Sequence, residues 1–160
     1  MDNVPQLLLV QQSLLKWAEQ LNYQVLVGEQ WLGGHLGVCW DATRRSDFNE
    51  RMLKEPLWGM CEFRERVIWI HPAAAIEQRT ALLVHELAHA LLHHGGPYDT
   101  DLQEAEAEAV CGMISEAFSI PLNSGAYYSA EEISPAQLSE IELRASQAAD
   151  QILVGISGGF

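Results

Sequence analysis

Between residues 81 and 96 the chain reads ALLVHELAHALLHHGG, four histidines and a glutamate set in a run of alanine, leucine and valine. The apolar residues at helical spacing demand a helix that is largely buried, and a buried imidazole or carboxylate is costly unless something meets it. Thr80 is expected to cap this helix, which then runs from Ala81 to His94, and Gly95 and Gly96 followed by Pro97 supply its stop. His85 and His89 are four residues apart, so both imidazoles leave one helical face at a separation that a single metal ion bridges. Glu86 stands beside the first. The pattern is H-E-x-x-H, in which two neutral imidazoles hold zinc and the intervening carboxylate serves as general base for the water that the metal activates. The bland alternative is a core helix whose histidines satisfy one another or backbone carbonyls. Against it stand the apolar helix of adequate length, the strand-like RVIWIHP before it and a carboxylate-rich helix shortly after it.

Catalytic zinc takes three protein ligands and keeps one position for water. A metzincin extension needs glycine at position 92 and histidine at position 95, where Leu92 and Gly95 stand. His93 and His94 lie further along the same helix, but ligands on successive turns out to His93 would spread over about 12 Å, too far for one ion. They read as surface or supporting histidines at a helix C-terminus. The remaining candidates, Glu104, Glu106 and Glu108, sit in DLQEAEAEAVCGMISEAF. At about 100° per residue, Leu102, Ala109, Val110, Met113 and Ala117 form an apolar stripe with Glu106 in its middle, while Glu104 and Glu108 project from the other side. A carboxylate on a core face needs a cationic partner, so Glu106 is the expected third ligand. Glu104 and Glu108 read as a solvated acidic face, either of them placed to orient a ligating histidine.

The rest of the chain frames this helix. Its 160 residues are 48% hydrophobic and 19% charged, enough for one compact domain spanning residues 1–160. Residues 5–21 carry Leu7, Val10, Leu14, Trp17 and Leu21 at helical spacing. YQVLVGE, HLGVCWD and ERVIWIHP, rich in β-branched and aromatic residues, read as strands. The polar stretch DATRRSDFNERMLKEP between the second and third is left open between a short helix and a loop. Further helices are expected over 101–118, ending before Pro121, and over 135–153. Twenty-two acidic residues against nine basic ones give a net charge of −13, which opposes binding to phosphate backbones and anionic membranes. Cys39, Cys61 and Cys111 are isolated in apolar contexts, which argues against a disulfide framework and for a reducing cytoplasm. No export signal or membrane span is expected.

With two histidines, a base and a glutamate on the following helix, the chain resembles a gluzincin-type minimal metallopeptidase. It is similar to the ImmA/IrrE-like zinc peptidases, most of all to the zincin domain of ArdC-type antirestriction proteins. HELAHALLHH followed by EAEAEAVCGMI carries the resemblance, and LNSGAYYS and LRASQAADQILVGI extend it more loosely. It spans residues 64–156, is specific over 80–118 and says little about residues 1–60. It implies His85, His89 and Glu106 as zinc ligands and Glu86 as catalytic base. After the Tyr-Ser step ArdC-type members tend to have a second tyrosine and a tryptophan where this chain has Glu132 and Ala136, so the substrate-side wall differs. An oxyanion donor is expected from Tyr98, Tyr127 or Tyr128, with Tyr128 the best match to the family.

The fold expected is α+β, a minimal zincin: an N-terminal helix, a short, mainly antiparallel sheet, the H-E-x-x-H helix, a glutamate helix and a C-terminal packing helix. The function expected is zinc-dependent endopeptidase activity on a specific intracellular protein, and the resemblance points to a transcriptional repressor or another regulator of a mobile element or stress response. Two readings compete with it. One is an antirestriction or defence protein that acts by binding, with zinc kept as a structural element. The other is a non-hydrolytic accessory module whose acidic surface docks a basic partner. Glu86 favours chemistry, because a structural metal site needs ligands but no base. Composition and motifs leave the oligomeric state open.

Overall fold

A computed structural model of the chain describes residues 4–35, 40–93, 100–124 and 133–157. The architecture is α+β, with five helices and a four-stranded sheet among the described residues. Helix α1 (Val4–Gln20) buries Leu7, Val10, Leu14, Trp17 and Ala18 along one stripe. Its chain reverses at Asn22, which takes the left-handed φ of 64° that asparagine tolerates, and enters β1 (Gln24–Val27). Strands β2 (Gln30–Gly34), β3 (Gly59–Glu62) and β4 (Val67–Ile70) complete the sheet in the order β2-β1-β4-β3. Two pairings are antiparallel, β1 with β2 and β3 with β4, and the central one, β1 with β4, is parallel. With two of its three pairings antiparallel, the sheet is mainly antiparallel, as expected from the sequence, and mixed through the one parallel pairing.

All four residues of β1 and of β4 are buried, which follows from cover on both faces of the sheet. Alternation sorts their side chains. Val25, Val27, Ile68 and Ile70 belong to the large core with α1, α3 (Ile76–Leu92), α4 (Thr100–Phe118) and α5 (Pro135–Ser157). Leu26, Val67 and Trp69 face the other way, into a smaller core closed by Trp40 and by Phe48 and Met52 of α2 (Ala42–Leu53). The stretch left open in the sequence is this α2, started by Asp41, whose Oδ1 accepts from the Arg44 amide at 2.8 Å. Asn49 of α2 accepts at 3.0 Å from the indole N–H of Trp69, so the buried ring keeps a partner.

Two further boundaries differ from expectation. The second strand lies earlier, at Gln30–Gly34; of the expected segment, residues 36–39 lie outside the described residues and Trp40 and Asp41 are not in a strand. Helix α3 starts a turn before Thr80, at Ile76, with Ala75 as its N-cap, and the Thr80 hydroxyl donates to the Ile76 carbonyl inside the helix. At the far end of the chain Gly155 of α5 meets the Trp17 indole, where a Cβ would collide with the ring. Glycine here sets how closely α1 and α5 approach.

Candidate metal centre

Helices α3 and α4 meet with His85 opposite Glu108 and His89 opposite Glu104, an antiparallel pairing of two residue pairs that are each four apart. His85 and His89 present their Nε2 atoms to each other at 3.1 Å. Both point at one carboxylate: Glu104 Oε2 is 3.0 Å from His85 Nε2, and Glu104 Oε1 is 3.0 Å from His89 Nε2. On the other side of the first ring, His85 Nδ1 lies 2.9 Å from Glu108 Oε1. The Ser124 hydroxyl donates to that same oxygen, and Cys111 packs beside it, its thiol donating to the Ala81 carbonyl at 3.5 Å.

Glu86 is turned towards the sheet. It is buried against β3, where a Cβ on Gly59 would come within 3.2 Å of its Oε1. Glycine there leaves the carboxylate room beside the edge strand.

The site residues expected from sequence divide accordingly. His85 and His89 come together, with Glu86 beside them. Glu106, the expected third ligand, is elsewhere: its Oε2 sits 3.1 Å from His93 Nε2 and 3.1 Å from Arg144 Nε of α5. The carboxylate at the histidine pair is Glu104. The physical reason is that α4 is buried on two sides. Glu106 is met by His93 at the end of α3 and by Arg144 of α5, and the cation expected to meet a buried carboxylate is the Arg144 guanidinium. Glu104 and Glu108 are side chains that sequence reasoning set on a solvated face, yet their spacing of four copies that of His85 and His89 and was the readable signal. Tyr98, Tyr127, Tyr128, His94 and Cys39 lie outside the described residues.

The electrostatics follow from this crowding. Burial alone would lower the pKa of His85, but hydrogen bonding to Cys111, Glu104 and Glu108 and the charge of Glu86 outweigh it and push it up to about 12. Burial would raise Glu104, yet its hydrogen bonds with His85 and His89 pull it down to about 2. Glu86 is raised by burial against the opposing pull of His85 and His89. His93 is lowered, by burial first and by the neighbouring His89 and Arg144 charges, against the pull of Glu106.

His85, His89 and Glu104 are among the groups of described residues able to hold a metal ion, and the set fits zinc. Two ligands bound at 2.0–2.1 Å to a tetrahedral ion stand about 3.3 Å apart; the two Nε2 atoms are 3.1 Å apart, and each lies 3.0 Å from one or the other oxygen of Glu104. Two nitrogens and one carboxylate oxygen are also the ligand types of catalytic zinc. No helix among the described residues is long and apolar enough to cross a membrane.

Compared with protein-family models, residues 43–141 match the peptidase family described as the IrrE N-terminal-like domain. Comparisons with curated proteins and with solved structures gave no significant match.

Proposed function

Since the chain belongs to the IrrE N-terminal-like peptidase family, a group with a metallopeptidase-type role, we propose that it is a zinc-dependent endopeptidase in which His85, His89 and Glu104 hold the metal and Glu86 is the general base. The observation that carries this reading is the convergence of both Nε2 atoms on the two oxygens of one carboxylate. Zinc bound there would polarise a peptide carbonyl and acidify a water. Everything else falls to the chain. With metal in place, His85 would donate its Nδ1–H to Glu108, which reserves Nε2 for the metal and fixes the ring's orientation. Ser124 holds the Glu108 carboxylate in turn. Glu86 takes a proton from the attacking water and returns it to the leaving amine. A carboxylate whose proton affinity is raised by burial suits both transfers. Tyr128 is the proposed oxyanion donor, by its match to the family.

The substrate in this proposal is a specific intracellular protein, a transcriptional repressor or comparable regulator, met in the cytoplasm without help from nucleic acid or membrane. The net charge of −13 supports a protein partner over a polyanionic one. Purified chain should carry one zinc by mass spectrometry and cleave such a regulator, with cleavage abolished by a chelator and restored by zinc. In Glu86→Gln turnover should fall by about 100-fold or more with zinc retained. A Glu86→Gln protein as active as the parent would refute the role of base, and a parent that binds no zinc would refute the metal site.

A further inference from the structure

The second imidazole of the pair has a partner that the H-E-x-x-H pattern does not include. His89 Nδ1 lies 2.7 Å from His93 Nδ1. His93 Nε2 lies 3.1 Å from Glu106 Oε2, and Arg144 Nε reaches that same oxygen at 3.1 Å. Arg144 Nη2 donates at 3.0 Å to the carbonyl of Leu92, one of the last carbonyls of α3, which have no partner within the helix. His89, His93 and Glu106 are all buried.

The order of protons along this line is determined by its far end. A guanidinium only donates and an ionised carboxylate only accepts, so Arg144 and His93 both donate to Glu106. His93 Nε2 therefore carries hydrogen. Two ring nitrogens 2.7 Å apart need one hydrogen between them, and in a neutral His93 with its hydrogen on Nε2 the Nδ1 is an acceptor. The hydrogen thus sits on His89 Nδ1, and Nε2, which faces His85 Nε2 at 3.1 Å and Glu104 Oε1 at 3.0 Å, is the ring nitrogen left for a metal to take over from the Glu104 contact. The opposite order would put hydrogen on His89 Nε2 and close that lone pair to a metal.

We propose that Arg144, Glu106 and His93 form a hydrogen-bonded relay that locks His89 in the tautomer whose Nε2 lone pair points at the metal position. They are positioning residues, and the inference rests on the preceding reading that His89 is a ligand. The two ligating imidazoles are then held from different elements: His85 by Glu108 of α4, and His89 through a line that begins on α5. The relay also gives Glu106, buried in the core without touching His85 or His89, a function at the site.

The test combines zinc affinity, by competition with a chromophoric chelator, with the nitrogen-15 shifts of the histidine rings in the zinc-loaded protein. The spectrum of the parent should show His89 protonated on Nδ1 and His93 on Nε2. His93→Leu should weaken zinc binding by about 10- to 100-fold. His93→Gln, whose side-chain carbonyl accepts the same hydrogen bond, should recover most of that loss. Glu104→Ala serves as the ligand control. If the parent binds zinc and Glu104→Ala does not, while His93→Leu binds as tightly as the parent, the relay is refuted and the metal reading stands. A parent spectrum with His93 protonated on Nδ1 refutes the relay even if His93→Leu fails to fold, and a parent without zinc affinity removes both proposals together.

Discussion

In the proposed site zinc would have to compete with a proton at His85, and the size of that competition follows from the surroundings of the ring. Without metal, Cys111 and the carboxylates Glu104 and Glu108, which bracket the imidazole at 3.0 and 2.9 Å, together with the charge of Glu86 hold its pKa up to about 12 against burial, so near neutral pH it is an imidazolium with hydrogen on both nitrogens. The Nε2 hydrogen has to leave before that atom can act as a ligand. Glu104, pulled down to about 2, is already ionised and contributes no proton. Zinc binding should therefore release about one proton at pH 7, and apparent affinity should rise about tenfold, or about 1.4 kcal/mol, per pH unit. Between pH 7 and 9 that amounts to about 100-fold. A histidine with its ordinary value near 6.5 would instead be neutral already, and affinity would be almost flat over the same range. Chelator competition across pH measures the slope, and calorimetry in buffers of different ionisation enthalpy counts the proton. A flat affinity from pH 7 to 9 with no buffer-dependent heat would refute the reasoning, because it would mean that the two carboxylates do not hold a proton on His85.

The same pKa shifts set the stability of the metal-free protein. The depressed Glu104 contributes stability that is present above its unfolded value of about 4.5 and lost as pH falls towards 2, so metal-free Tm should drop over that window and drop less in Glu104→Gln. The raised His85 contributes stability present below about 6.5 and lost as pH rises towards 12, so metal-free Tm should also decline gradually above neutrality. In parallel titrations Glu104→Ala should lose more zinc affinity than Glu106→Ala, and the reverse order would return the ligand role to Glu106. Gly59→Val should leave zinc affinity within about twofold of the parent while lowering turnover at least about tenfold, because its side chain intrudes on the Glu86 carboxylate; unchanged turnover would show that this space is not needed.

How much of this was legible in the sequence depended on how many sides of an element are buried. Helices α1, α3 and α5 could be read because one stripe of apolar residues, or nearly the whole surface in α3, repeats at helical spacing. His85, Glu86 and His89 followed from their spacing alone. Helix α4 was found with nearly correct ends, but its phase relative to α3 was not, since it packs against α3 on one side and α5 on the other. The apolar stripe marks burial in the large core but not which residues meet the histidines. The α3 side is lined by Glu104 and Glu108, whose partners are imidazoles and not aliphatic groups, so a hydrophobicity pattern had no means of finding it. Strand β3 escaped because Gly59–Glu62 is a four-residue edge strand, with only Cys61 buried, and α2 stayed ambiguous because Phe48 and Met52 are its only buried residues.

The sheet separates two sets of obligations. Among the described residues, one face carries α3 with its histidines, and the other is roofed by α2 through Phe48, Met52 and the Trp69–Asn49 bond. Effects of substitutions at sites well apart and without shared partners add independently, so damage beneath α2 weakens the whole molecule without altering the register of His85 against Glu108. Substitutions on the α2 side are therefore expected to act first on stability, and on the histidine pair only through it.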